Sequence, residues 1–115
     1  MTKEILIVDD VSDDRKVMKD ILEKEGFKVE TVEDGARALD ILNGNGFDLI
    51  LIDVKMPTLS RYDLLRLMRE RLNHKVKMIY VSIVPEQDVD LSDIDGFIQK
   101  PFSPESLLVG VKKVL

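Results

Sequence analysis

The chain has 115 residues, 44% apolar and 34% charged, with a formal net charge of −5 and no cysteine. That length fits one domain over residues 1–115, and no apolar run is long enough for a membrane span. The absence of cysteine excludes a disulfide framework and thiolate metal sites, the single His74 excludes a histidine-rich one, and the acidic balance argues against nonspecific nucleic-acid binding.

The N-terminal stretch MTKEILIVDD has neither the basic start nor the cleavage site of a signal peptide, so a cytoplasmic location is expected. Residues 4–8 form a short apolar, β-branched run that stops at Asp9 and Asp10, which predicts a first strand. Ser12 is placed to cap the helix that follows, and Asp13 and Asp14 suit the positive end of its dipole. Val11, Met18, Ile21 and Leu22 supply an apolar face before Gly26. Residues 27–32 alternate as a second strand, at an edge of the sheet. Asp34-Gly35 opens a second helix through Ala36, Ala38, Leu39, Ile41 and Leu42, and Asn43-Gly44-Asn45-Gly46 closes it with residues that tolerate the left-handed region.

The rest of the chain is organised around FDLILIDVKMP, residues 47–57. Leu49, Ile50, Leu51 and Ile52 read as a strand buried on both faces, as a central parallel strand is. The strand ends on Asp53, and Pro57, with no N–H for a ladder, biases Met56 away from helix. A third helix begins near Ser60, with Leu64, Leu65, Leu67, Met68 and Leu72 inward and Arg61, Arg66, Arg69 and Arg71 solvated. Residues 76–81 predict a fourth strand ending at Ser82, and residues 96–99 a very short fifth that leads into Lys100-Pro101. Between them VPEQDVDLSDID has little amphipathic pattern, so the helix in that position is expected to be short or irregular. Ser103-Pro104-Glu105 combines a cap, an N1 proline and an N-terminal acid, and Leu107, Leu108, Val111, Val114 and Leu115 give the last helix its buried face.

Strands alternating with helices at this spacing imply a parallel sheet covered on both faces, an α/β three-layer sandwich. Right-handed crossovers require the winding to reverse once. Reversal beside strand one gives the order 2-1-3-4-5 of flavodoxin-like folds and sets the ends of strands one and three side by side. Asp9, Asp10, Asp53, Ser82 and Lys100 then gather at one end of the sheet. Three carboxylates about 5 Å apart repel by about 3 kcal/mol per pair at an effective dielectric of about 20, so they rise in pKa or recruit a cation. Mg²⁺ suits the site, because it binds through one or two carboxylates and accepts a phosphate oxygen as a further ligand. Lys100 and the Ser82 hydroxyl supply a point charge and a donor for an anion. Phosphoryl transfer to an aspartate is a coherent chemistry for this set. Singly, these residues read as strand-end carboxylates, a turn serine and a surface lysine; their conjunction at one end carries the argument.

The motifs ILIVDD, LILIDVKMP, MIYVS and FIQKPF, in this order over essentially the whole chain, resemble the receiver domains of two-component response regulators, stand-alone chemotaxis-type receivers among them. The resemblance implies that Asp53 is the phosphoacceptor, charged by a sensor histidine kinase or a phosphotransfer protein. It implies that Asp10, Asp53 and the main-chain carbonyl of Lys55 ligate Mg²⁺, with Asp9 holding a metal-bound water. Ser82 and Lys100 would bind the phosphoryl group, and Phe97 would be the aromatic switch residue. It further implies a cis Lys100-Pro101 bond, a downstream protein partner, a monomer or weak dimer, and no direct contact with nucleic acid or membrane.

Three features depart from the family pattern. Arg61 replaces the usual glycine eight positions after the phosphoacceptor, Ile83 replaces a small residue after the switch hydroxyl, and the segment from Ser82 to Phe97 is shorter by roughly one helical turn. Bulky Lys55 and Ile83 beside the site imply slow self-dephosphorylation. The competing readings are a receiver excised from a longer DNA-binding or catalytic regulator, and a degenerate receiver serving as a constitutive protein-interaction domain. The complete set of acids, serine and lysine opposes the latter. A flavin carrier on the same fold is opposed by Val11-Ser12-Asp13-Asp14, which would repel a phosphate.

Overall fold

Five strands, β1 (Glu4–Val8), β2 (Lys28–Val32), β3 (Leu49–Asp53), β4 (Lys77–Ser82) and β5 (Gly96–Gln99), pair in parallel in the order β2-β1-β3-β4-β5. This is the order predicted from a single reversal beside β1. The computed structural model describes residues 2–42, 46–53, 66–70, 76–89, 91 and 94–115. Helices α1 (Ser12–Lys24), α2 (Gly35–Ile41) and α3 (Pro104–Val114) connect or follow the strands, and residues 66–70 are also helical.

All five residues of β3 are buried, so its period of two sorts side chains between two apolar faces and not between core and water. Leu6, Val8, Ile50, Ile52 and Tyr80 meet Ala38, Leu42 and Met68 on one face. Ile5, Ile7, Leu49, Leu51 and Val81 meet Met18, Leu22, Leu107 and Val111 on the other. Thus α1 and α3 cover one face, and α2 with residues 66–70 covers the opposite one. The result is the three-layer, flavodoxin-like sandwich that alternating strands and helices imply.

Local chemistry explains most element ends. Gly26 stops α1 at φ 93°, donating to the Glu23 carbonyl at 3.0 Å while the Phe27 N–H reaches Leu22 at 3.2 Å, which together satisfy carbonyls left over in the last turn. Asp34 caps α2 by accepting the Arg37 N–H at 2.8 Å. Ser103 and Ser106 form a reciprocal capping box at the start of α3, with Pro104 in the first turn.

Other expectations are corrected. Val11, not Ser12, is the N-cap of α1, and it makes no side-chain cap bond. The Asp9 carboxylate accepts the Val11 N–H at 2.9 Å, so the strand-end acid closes this turn and Ser12 stays exposed. Val11 is accordingly 44% exposed and not part of the buried face. Leu115 also lies at the surface and not in the buried face of the last helix. Arg69 is half-buried where a solvated side chain is predicted, because it donates to the Val76 carbonyl and pairs with Asp95. The segment between β4 and β5 holds one 3₁₀ turn, Glu86–Asp88, in keeping with its weak amphipathic pattern. Met56, Pro57, Ser60, Arg61, Leu64, Leu65, Arg71, Leu72 and residues 43–45 lie outside the described residues.

Candidate functional site

Register places the site. Val8 pairs with Ile52 and Asp53 with Val81, so β1, β3 and β4 run out at the same edge, and Asp9, Asp10, Asp53 and Ser82 leave it together. Oxygens of Asp9, Asp10 and Asp53 all lie within 4.8 Å of one another. Asp9 and Asp53 are buried and Asp10 is exposed.

Lys100 enters from beyond β5, two strand spacings or about 10 Å from β3, a gap that only a long side chain bridges. Its backbone N–H is fixed on the Ser82 carbonyl at 2.8 Å, and the following peptide bond to Pro101 is cis, as the family resemblance implies. Its Nζ donates to Asp9 Oδ2 at 2.7 Å, to Asp14 Oδ2 at 2.7 Å and to Asp53 Oδ2 at 3.5 Å. Burial by itself lowers the pKa of this ammonium. The hydrogen bonds to Asp14 and Asp9, with the charges of Asp53 and Asp9, outweigh that and hold it above the usual lysine range. The site therefore keeps a fixed positive charge at neutral pH.

Ser82 is fully buried, and its hydroxyl accepts the Val84 N–H at 3.0 Å. Phe97 is half-buried, opposite Tyr80 in the β4–β5 register, and packs on the core face shared with α2. Ile83 stands 58% exposed at the rim of an open cleft lined by Asp10, Val11, Asp14, Asp53 and Lys100. Lys55 lies outside the described residues.

Two further participants, Asp14 and Gln99, carry no signal of their own among the strand-end motifs. In the sequence Asp14 reads only as a helix-dipole acid, yet it is a partner of Lys100; its place one turn after Asp10 is the signal, since that turn overhangs the end of β1. The Gln99 amide donates to the carbonyls of Ser82 at 2.9 Å and Val84 at 3.3 Å, tying the loop after β4 to β5.

The donor set tests the metal expectation. All three clustered ligand atoms are hard carboxylate oxygens, one of the three acids faces solvent, and no nitrogen or sulfur ligand joins them among the described residues. That set fits Mg²⁺, which favours few carboxylates and retained waters.

The chain matches the response regulator receiver domain over residues 5–112, and it belongs to that family. Fold, family and acidic site together define a phosphorylation-controlled switch of a two-component system. The chemotaxis protein CheY of Pseudomonas aeruginosa is 34% identical over 116 residues, spanning 96% of this chain and 94% of CheY. The response regulator SaeR of Staphylococcus aureus is 30% identical over 96% of this chain, which spans 50% of SaeR. Among solved structures, response regulator TrrA from Thermotoga maritima, in complex with Mg²⁺-BeF, superposes with a TM-score of 0.88 at 29% identity, covering 99% of this chain and 100% of TrrA. CheY4 of Vibrio cholerae gives a TM-score of 0.88 at 28% identity, covering 100% of both chains.

Proposed function

We propose that Asp53 is the phosphoacceptor of a single receiver domain spanning residues 1–115, and that Asp9, Asp10 and Asp53, with the Lys55 carbonyl, hold Mg²⁺. One observation carries the reading: Asp53, 6% exposed at the end of the central strand, has the Lys100 ammonium at 3.5 Å and two further carboxylates within 4.8 Å. An Asp53 oxygen attacks the phosphorus of a phosphohistidine on a kinase or phosphotransfer protein; the P–N bond breaks and its electron pair leaves with the imidazole. The metal supplies charge neutralisation for the phosphoryl oxygens. Lys100 adds a second positive charge, held in place by its backbone bond to Ser82. The Ser82 hydroxyl, which accepts the Val84 N–H in the resting state, turns its own O–H to a phosphoryl oxygen, and Phe97 follows the space it vacates. The domain thereby promotes only its own phosphorylation and dephosphorylation, acts in the cytoplasm as a monomer or weak dimer, and is read by a downstream protein. The complete acid, serine and lysine set favours this over a degenerate interaction domain.

Incubation with acetyl phosphate and Mg²⁺, followed by intact-mass measurement, tests the assignment. One phosphoryl group per chain is expected, lost in Asp53→Asn and on chelation of the metal. Stoichiometric phosphorylation of Asp53→Asn at another carboxylate would overturn it.

A further inference from the structure

The Lys100 ammonium has three N–H donors, and three carboxylates, Asp9, Asp14 and Asp53, surround it. Its two short contacts, 2.7 Å each, go to Asp9 and Asp14; the contact to Asp53 is 3.5 Å. In this arrangement the cation leans toward β1 and α1, away from the acid that is to carry a phosphoryl group. An added anion on Asp53 meets Lys100 only through the third and longest of these contacts unless one of the two short ones yields. Asp9 yields less readily, because its side chain is 1% exposed and no water can take the place of the ammonium beside it. Asp14 is 37% exposed, so water replaces the lost donor at little cost. Asp14 also lines the cleft beside Asp10 and Asp53, where its own charge opposes an incoming anion.

We infer that Asp14 is a latch on Lys100: a positioning residue that holds the ammonium on the α1 side of the cleft in the unphosphorylated state and competes with the phosphoryl group for it. The inference rests on the reading of Asp53 as phosphoacceptor. By linkage, whatever the latch contributes to the resting site it subtracts from anion affinity, and an anion on Asp53 weakens the Lys100–Asp14 pair by the same factor. Asp14 thus sets how readily this chain is phosphorylated and how populated the phosphorylated state is at a given donor supply.

The latch is separable from a general charge effect because α1 offers a matched control. Asp13 occupies the same first turn, is exposed, and makes no ion pair with a described residue. Asp13→Asn and Asp14→Asn change net charge and helix dipole alike, and only the second frees Lys100. The full chain is titrated with beryllofluoride in Mg²⁺, a phosphoryl mimic, by calorimetry or ¹⁹F NMR. Asp14→Asn is expected to tighten binding about tenfold beyond Asp13→Asn, the order expected for releasing one charge-assisted hydrogen bond, and Asp14→Glu to return it toward wild type. Equal affinities for the two Asn variants, or weaker binding by Asp14→Asn, would overturn the latch alone. Wild-type chain that binds no beryllofluoride, or Asp53→Asn that binds it as wild type does, would overturn the phosphoacceptor reading and the latch with it.

Discussion

Replacing Lys100 by methionine would leave Asp9, 1% exposed, without its 2.7 Å ion pair, while Asp10 and Asp53 stay within 4.8 Å of it. Breaking a buried pair from one side typically destabilises by about 3 kcal/mol. Lys100→Met is therefore predicted to lose about that much in urea denaturation without metal, and to regain more stability on adding Mg²⁺ than wild type does. Equal Mg²⁺ responses would contradict Lys100 as the resting counter-ion. The pH dependence follows from the raised pKa. A lysine held above its unfolded value contributes fully below about pH 10.4 and loses the contribution as pH rises through the higher folded value. The gap in stability between wild type and Lys100→Met is accordingly predicted to stay level across neutral pH and to narrow only above about pH 10.4.

At the scale of elements, the site depends on how closely α3 lies on β5, because β5 delivers Lys100. Gly110 sits at that contact: a methyl group there would meet Ile98 Cγ1 at 2.7 Å and Cδ1 at 2.8 Å. Gly110→Ala is predicted to destabilise by about 1–3 kcal/mol in spite of alanine's better helix propensity, since overpacking outweighs it. A double-mutant cycle with Ile98→Ala should recover part of that loss; additive effects would place the strain elsewhere. The 3₁₀ turn Glu86–Asp88 marks the opposite case, an element with no buried residue, closed by the short bonds from Asp88 N–H to the Pro85 carbonyl and from Val89 N–H to the Glu86 carbonyl.

Across the whole molecule, phosphorylation acts by shifting a population. In the mechanism proposed above, an inward state of Phe97 would be favoured only by the extra contacts a bound phosphoryl makes with Ser82 and Lys100. NMR signals around Phe97 and Tyr80 are predicted to move on phosphorylation in wild type and to respond weakly in Lys100→Met. Identical responses would sever the proposed coupling. Ser82 is suited to relay the change because its hydroxyl, its carbonyl and the Lys100 N–H belong to one hydrogen-bonded knot with Gln99.

The sheet, and the gathering of Asp9, Asp10, Asp53, Ser82 and Lys100 at one end of it, were legible from residue pattern alone. Four-to-six-residue apolar runs that end on Asp9, Asp53 or Ser82 specify strands and their polar ends locally, and right-handed crossovers with one reversal beside β1 give the observed order. Caps were legible for the same reason: Asp34 and Ser103 bond within three residues of themselves. Only the tertiary structure decided which partners those residues take. Asp13 and Asp14 carry the same charge in the same turn, but a helix turns about 100° per residue, and the phase of α1 on the sheet aims Asp14, not Asp13, at Lys100. Likewise Asp9 displaces Ser12 in closing the turn into α1, and Arg69 leaves solvent for Asp95. Each of these pairings depends on the distance and angle between packed elements, which hydrophobic burial fixes and no local pattern encodes.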